Sequence, residues 1–156
     1  MHKVHTYLGT SSNISCLSFL LVPLAPCDLD TGCALHPGFF LAWGEISGDV
    51  QAALDRVVAL HGSYAIVVTG HSLGGAGATI AGAYLRNGGW NLDLYTYGSP
   101  RVGNLAFVNF VSNQAGGAYR TTHAADVVPR VLNPTLLGYR HTSPKYWMTQ
   151  PTRGAL

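Results

Sequence analysis

The stretch Ile66-Val67-Val68-Thr69-Gly70-His71-Ser72-Leu73-Gly74-Gly75 constrains this chain more than any other. A β-branched apolar run, suited to a buried strand, passes without a linker into Gly-x-Ser-x-Gly. The residues that follow, Ala76-Gly77-Ala78-Thr79-Ile80-Ala81-Gly82-Ala83-Tyr84-Leu85, are mostly small and predict a helix lying close against a sheet. The order is strand, tight turn, helix, with a serine at the apex. A serine there is forced into a strained backbone conformation, and glycines at 70 and 74 leave room for the flanking chains. Its hydroxyl then stands clear of the sheet, facing the free N–H groups and positive dipole end of the helix. Glycine in a helix costs roughly 1 kcal/mol relative to alanine, so packing must offset the composition of this one.

A chain with 19 glycines can produce the pentapeptide by chance. What discriminates is its position after a strand and before a small-residue helix, the context that makes it the nucleophile elbow of an α/β-hydrolase. The remaining periodicities agree. Strands are predicted at 4–9, 64–69, 91–97 and 118–123, and helices at 38–61, 74–87 and 104–115, followed by an irregular Pro-rich end. Apolar positions 46, 50, 54, 57 and 58 give the first helix its face. The expected class is therefore α/β, an α/β-hydrolase with a mostly parallel sheet, helices on both faces, and incomplete N- and C-terminal edges.

At 156 residues the chain has the length of one domain or a piece of one. Charged residues make up only 10%, against roughly 25% in an ordinary soluble domain. Such a composition suits a well-buried sheet or an apolar working surface. The net charge is +2 and the basic residues are scattered along the sequence, so nothing points to nucleic acid. Cys27 and Cys33 are separated by five residues, Asp28-Leu29-Asp30-Thr31-Gly32, in a turn-rich polar segment. A small disulfide loop suited to an oxidising compartment is one reading and two neighbouring thiols the other; no second pair or histidine partner makes a zinc site. The apolar run over 14–27 is too short to span a membrane, and Pro26 before Cys27 argues against lipoprotein processing.

In α/β-hydrolases the triad runs Ser, acid, His. Of seven acids only Asp93 and Asp126 follow Ser72. Asp93 falls early in an alternating strand, where a solvent-side residue is expected. Asp126 follows Tyr119-Arg120-Thr121-Thr122-His123-Ala124-Ala125, just past the carboxyl end of a strand, the edge at which parallel sheets build their sites. A carboxylate there can orient an imidazole and stabilise it once protonated; the plainer role is an Asx turn at the strand exit. His141 is the one histidine after Asp126, and it stands among Tyr139, Tyr146 and Trp147, where a structural imidazole is common. His71 neighbours the nucleophile, and His123 precedes the acid.

Beyond the elbow, several segments in order carry a family resemblance: Tyr7-Leu8-Gly9-Thr10-Ser11-Ser12, Leu35-His36-Pro37-Gly38-Phe39, Tyr95-Thr96-Tyr97-Gly98-Ser99-Pro100-Arg101-Val102-Gly103-Asn104, Asp126-Val127-Val128-Pro129, and Gly138-Tyr139-Arg140-His141. On these the chain resembles the secreted fungal lipases of class 3, which include feruloyl esterases and mono- and diacylglycerol lipases. The resemblance implies a secreted serine esterase, with Ser72 as nucleophile and Asp126 as triad acid. Thr10 and the backbone N–H of Leu73 would form the oxyanion hole. It implies no metal or organic cofactor, no nucleic acid and no stable membrane insertion. The partner would be an ester or lipid substrate met by a monomer at a lipid–water interface. Residues 11–20 fall where the family carries its lid, with Ile14, Leu17, Phe19 and Leu20 to cover the acyl site.

The chain departs from the family pattern at several places. Cys16 stands near the family's lid tryptophan, and Leu8 replaces its usual arginine. The family's catalytic histidine lies in a later segment, so His141 receives no triad role, and 1–156 reads as the central part of a single domain. A feruloyl-type esterase, or an ester-binding module lacking its base, are the alternatives.

Overall fold

The computed structural model describes residues 3–6, 22–62 and 64–149. The expectations placed on Thr10, on Cys16 and on the lid over 11–20 lie outside them.

Among the described residues, seven strands and four α-helices follow in order: β1 (Lys3–Thr6), β2 (Ala25–Pro26), β3 (Ala34–Leu35), α1 (Pro37–His61), β4 (Ala65–His71), α2 (Leu73–Asn87), β5 (Leu92–Tyr97), α3 (Leu105–Asn113), β6 (Ala118–His123), a 3₁₀ turn (Val128–Arg130), α4 (Pro134–Leu137) and β7 (Lys145–Met148). β2 and β3 form a small antiparallel ribbon. The others make one sheet in the order β1-β4-β5-β6-β7, parallel throughout. Register aligns the carboxyl ends: His71 pairs with Tyr97, and Tyr97 with Thr121. The chain leaving β4, β5 and β6 therefore emerges at one edge of the sheet.

α2 supplies the centre of the core. Its Ala76, Ala78, Ile80, Ala81, Ala83 and Leu85 are buried, as are Ile66, Val68, Leu92 and Leu94 from the strands beneath. Small side chains let the helix axis approach the sheet, and the apolar area removed from water offsets its poor intrinsic propensity. α1 packs on α2 through Phe40 and Trp43, whose rings lie 5.7 and 6.4 Å from that of Tyr84. Its ends follow from sequence: His36 Nδ1 accepts from the Phe39 N–H, Pro37 occupies the first turn, and Gly62 stops it at φ 76°. α3 starts at Asn104, whose Oδ1 accepts from Phe107 N at 3.0 Å while its Nδ2 donates to Gly32 O at 2.7 Å, joining the ribbon to the helix.

Among the described residues, α1, α2 and α3 lie on the Ile66–Leu94–Arg120 side of the sheet. The other side carries a tyrosine ladder. Tyr95 stacks on Tyr119 at 4.5 Å, and Tyr119 meets Tyr146 at 5.8 Å. The Pro-rich end that the sequence predicts to be irregular contains β7, which pairs in register with β6 as an edge strand, exposed at all four residues. Exposure on both faces erases the alternation that marks a strand in sequence.

Cys27 and Cys33 form a disulfide with their Cα atoms 5.2 Å apart, closing the loop that joins β2 to β3. Tyr84 OH donates to Asp28 Oδ1 within that loop. Burial, and then Asp28 itself, pushes the phenol well above its ordinary pKa. The ribbon is thereby tied to α2 as well as to α3.

Candidate active site

β4 ends at His71 and α2 begins at Leu73, leaving Ser72 alone at the bend with φ 53° and ψ −123°. Such a conformation costs a non-glycine residue about 1–3 kcal/mol and persists only where its surroundings enforce it. Several contacts enforce it here. Ser72 N donates to Tyr97 O at 2.9 Å, and Ser72 O accepts from Gly75 N at 2.9 Å. A Cβ on Gly70 would run into the Gly74 carbonyl, and one on Gly75 would stand 2.8 Å from Ser99 Cβ. The glycines therefore permit the strand and helix to pinch the serine between them. Ser72 is half-buried, and its side chain makes no capping bond to α2. Leu73 is the first helical residue, so its N–H is one of those a helix start leaves without an intrahelical acceptor.

Asp126 follows β6 through a turn in which Ala124 takes a positive φ and Asp126 N donates to His123 O at 2.9 Å. One oxygen, Oδ1, accepts from Val128 N at 3.0 Å, so the Asx-turn role is real. The other, Oδ2, faces Gly98 across the sheet edge: a Cβ at Gly98 would lie 2.7 Å from it and 3.6 Å from His71 Nε2. Gly98 follows β5 directly and has φ +55°. Ser72, Leu73 and Asp126 are thus gathered at one carboxyl edge, on either side of the Tyr97–Gly98 bend.

His141 lines a cavity together with Asp126 but is turned to another partner. Its Nε2 is 2.7 Å from Pro129 O, and because a carbonyl only accepts, that nitrogen carries the hydrogen. Burial first, and the Arg120 guanidinium next, push its pKa down to about 4. That shift favours the neutral imidazole, which holds the Pro129 carbonyl. Asp93 has a structural part too: its Oδ1 accepts from Gly117 N at 2.7 Å, at the sheet end away from Ser72.

Sequence reading missed a group of cations beneath Asp126. Arg120 is 8% exposed and its Nε donates to Thr142 O at 2.9 Å. Arg101 Nη1 donates to the carbonyls of Arg130 and Val131, each at 2.8 Å, which holds the segment after Asp126 in place. Burial, then the nearby Arg101, lowers the Arg120 pKa to about 10. A cavity of about 260 Å³ opens among Arg101, Arg120, Arg130, Lys145, Asp126 and Trp147. The one legible hint was Arg101, within the Gly98-Ser99-Pro100-Arg101 segment.

The family model described as "Lipase (class 3)" matches residues 4–136. The chain belongs to the class 3 lipases. It is 56% identical over 122 residues to secreted mono- and diacylglycerol lipase 1 of Fusarium solani, covering 78% of this chain and 36% of that protein. Against secreted mono- and diacylglycerol lipase A of Penicillium camembertii the identity is 42% over 127 residues, covering 80% and 41%. The crystal structure of the mono- and diacylglycerol lipase from Aspergillus oryzae superposes with a TM-score of 0.89 at 36% identity, over 97% of this chain and 56% of that one. This class 3 lipase chain therefore spans well under two thirds of the length of the relatives it matches. Its α/β-hydrolase fold is theirs.

Proposed function

We propose that this chain is a secreted carboxylic ester hydrolase acting on acylglycerols through an acyl-enzyme on Ser72. The observation that carries the reading is the Ser72 backbone at φ 53°, a strained bend between strand and helix that projects the hydroxyl toward the helix N-terminus. Ser72 Oγ attacks the ester carbonyl, its proton passing to an imidazole base oriented by Asp126 and from there to the departing alkoxide, while negative charge collects on the carbonyl oxygen. The Leu73 N–H, with Thr10 as second donor, steadies that oxyanion; one lost donor typically costs about 10² to 10³ in rate. The alcohol leaves, and water then releases the fatty acid. Asp126 Oδ2 is the oxygen left to hold an imidazole, since Oδ1 is occupied by Val128 N. The names of the relatives, secreted mono- and diacylglycerol lipases, support both the substrate class and secretion.

A second reading is favoured by one observation. His141 Nε2 is engaged by Pro129 O, so that nitrogen is not free to take the Ser72 proton; an ester-binding module without turnover is the result if no imidazole serves Ser72. Hydrolysis of nitrophenyl esters of graded chain length, with and without an emulsion, separates the two. The hydrolase reading expects turnover that rises with acyl length and disappears in Ser72→Ala. Equal slow rates in the parent and Ser72→Ala would contradict it, and turnover restricted to aromatic cinnamate-type esters would favour the feruloyl alternative.

A further inference from the structure

Seven of the nine basic residues lie after residue 60, against two of the seven acids. Scattered in sequence, four of them are collected by the fold around the cavity below Asp126: Arg101, Arg120, Arg130 and Lys145. Among the described residues no carboxylate comes within ion-pair distance of any of them. Arg120 is the decisive one. It is more than nine-tenths buried, its single hydrogen bond uses Nε, and its two Nη groups have no partner yet are not sealed off from the cavity that the residue lines. His141, neutral and turned to Pro129 O, supplies no compensating charge. A buried guanidinium with an idle fork, beside further like charges, is costly unless an anion completes it.

We propose that this cavity is a carboxylate-binding site, with Arg120 as the inner ligand and Arg101, Arg130 and Lys145 setting its potential. The planar fork of Arg120 matches a carboxylate in two-point fashion. Asp126 lines the same cavity, leaving its four cations with one fixed anion. Trp147, Ala124 and Pro129 give the cavity apolar wall on which methylenes can lie. Two sources share this chemistry: the fatty acid released at Ser72, and an aspartyl or glutamyl side chain of a polypeptide. The first rests on the hydrolase reading; the carboxylate site itself does not.

The test is equilibrium binding of octanoate, acetate and uncharged methyl octanoate to the full chain carrying Ser72→Ala, which removes turnover. Saturable one-to-one binding of a carboxylate is expected, weakened about tenfold or more by Arg120→Lys, which keeps charge but loses the fork. Arg130→Gln, at an exposed position that leaves folding intact, is expected to weaken it severalfold. Octanoate binding much more tightly than acetate identifies the released acid; equal affinities identify a short polypeptide carboxylate. The proposal is overturned if neither acid binds, if methyl octanoate matches octanoate, or if both variants leave affinity unchanged. None of these results bears on whether Ser72 is activated, which a covalent probe reads separately.

Discussion

Gly98 and Asp126 are interlocked across the carboxyl edge of the sheet. The point where a Cβ would sit on Gly98 is 2.7 Å from Asp126 Oδ2, and Gly98 holds φ +55°. The residue after β5 must therefore be glycine for two independent reasons, the first of which bears directly on the carboxylate. Gly98→Ala is expected to lower stability by about 1–2 kcal/mol and to displace Asp126. Chemical denaturation would read the first effect. Esterase activity, reduced by more than the fraction of chain unfolded, would read the second.

Asp126→Asn preserves the turn, because an amide oxygen can still accept from Val128 N. Stability should change little, whereas activity should drop by roughly 10³ to 10⁴, as for a triad that loses the charge orienting its imidazole. Asp126→Ala removes both contributions and should in addition lower the melting temperature. Equal activity in the parent and the Asn variant would leave Asp126 with only its turn.

At Ser72, function and stability should part. Ser72→Gly relieves the positive φ, so the variant should be more stable by about 1 kcal/mol while inactive. Denaturation midpoints of the parent and variant, at unchanged slope, check this. A less stable glycine variant would mean that the bend is not under strain.

The low pKa of His141 fixes the sign of an acid dependence. Between pH 6.5 and about 4 the unfolded chain takes up a proton that the folded chain refuses. Stability is therefore complete above pH 6.5 and falls as pH drops through that window, by about 3 kcal/mol in all. His141→Gln can still donate to Pro129 O, and it should flatten this limb of a stability-against-pH curve. An unchanged slope would place the acid sensitivity elsewhere.

The disulfide closes a loop with a sequence separation of 6. Replacing both cysteines by serine should cost about 2 kcal/mol by the loop-entropy account. The ribbon it closes carries Asp28, so the loss should be felt at Tyr84 as well. Thermal melting with and without reductant gives the same comparison without mutation.

How much of this could be read beforehand depends on whether the governing residues are neighbours in sequence. The elbow was legible because strand, glycines, serine and helix must be consecutive for the turn to exist. Asp126 was legible because chain order and strand exit both mark it. The cation cluster was not, since Arg101, Arg120, Arg130 and Lys145 belong to different segments and meet only through the register of β5, β6 and β7. β7 escaped notice because Lys145-Tyr146-Trp147-Met148, exposed throughout, shows no alternation and directly follows Pro144. The tyrosine ladder is equally non-local, built from Tyr95, Tyr119 and Tyr146 on three strands.

An activated serine at position 72 is the centre of the account, and labelling with a fluorophosphonate followed by intact-mass and peptide analysis tests it most directly. The expected result is one adduct per chain, on Ser72, absent from Ser72→Ala and slowed in Asp126→Asn. A folded chain that takes no label, or takes it at a different residue, would contradict the account.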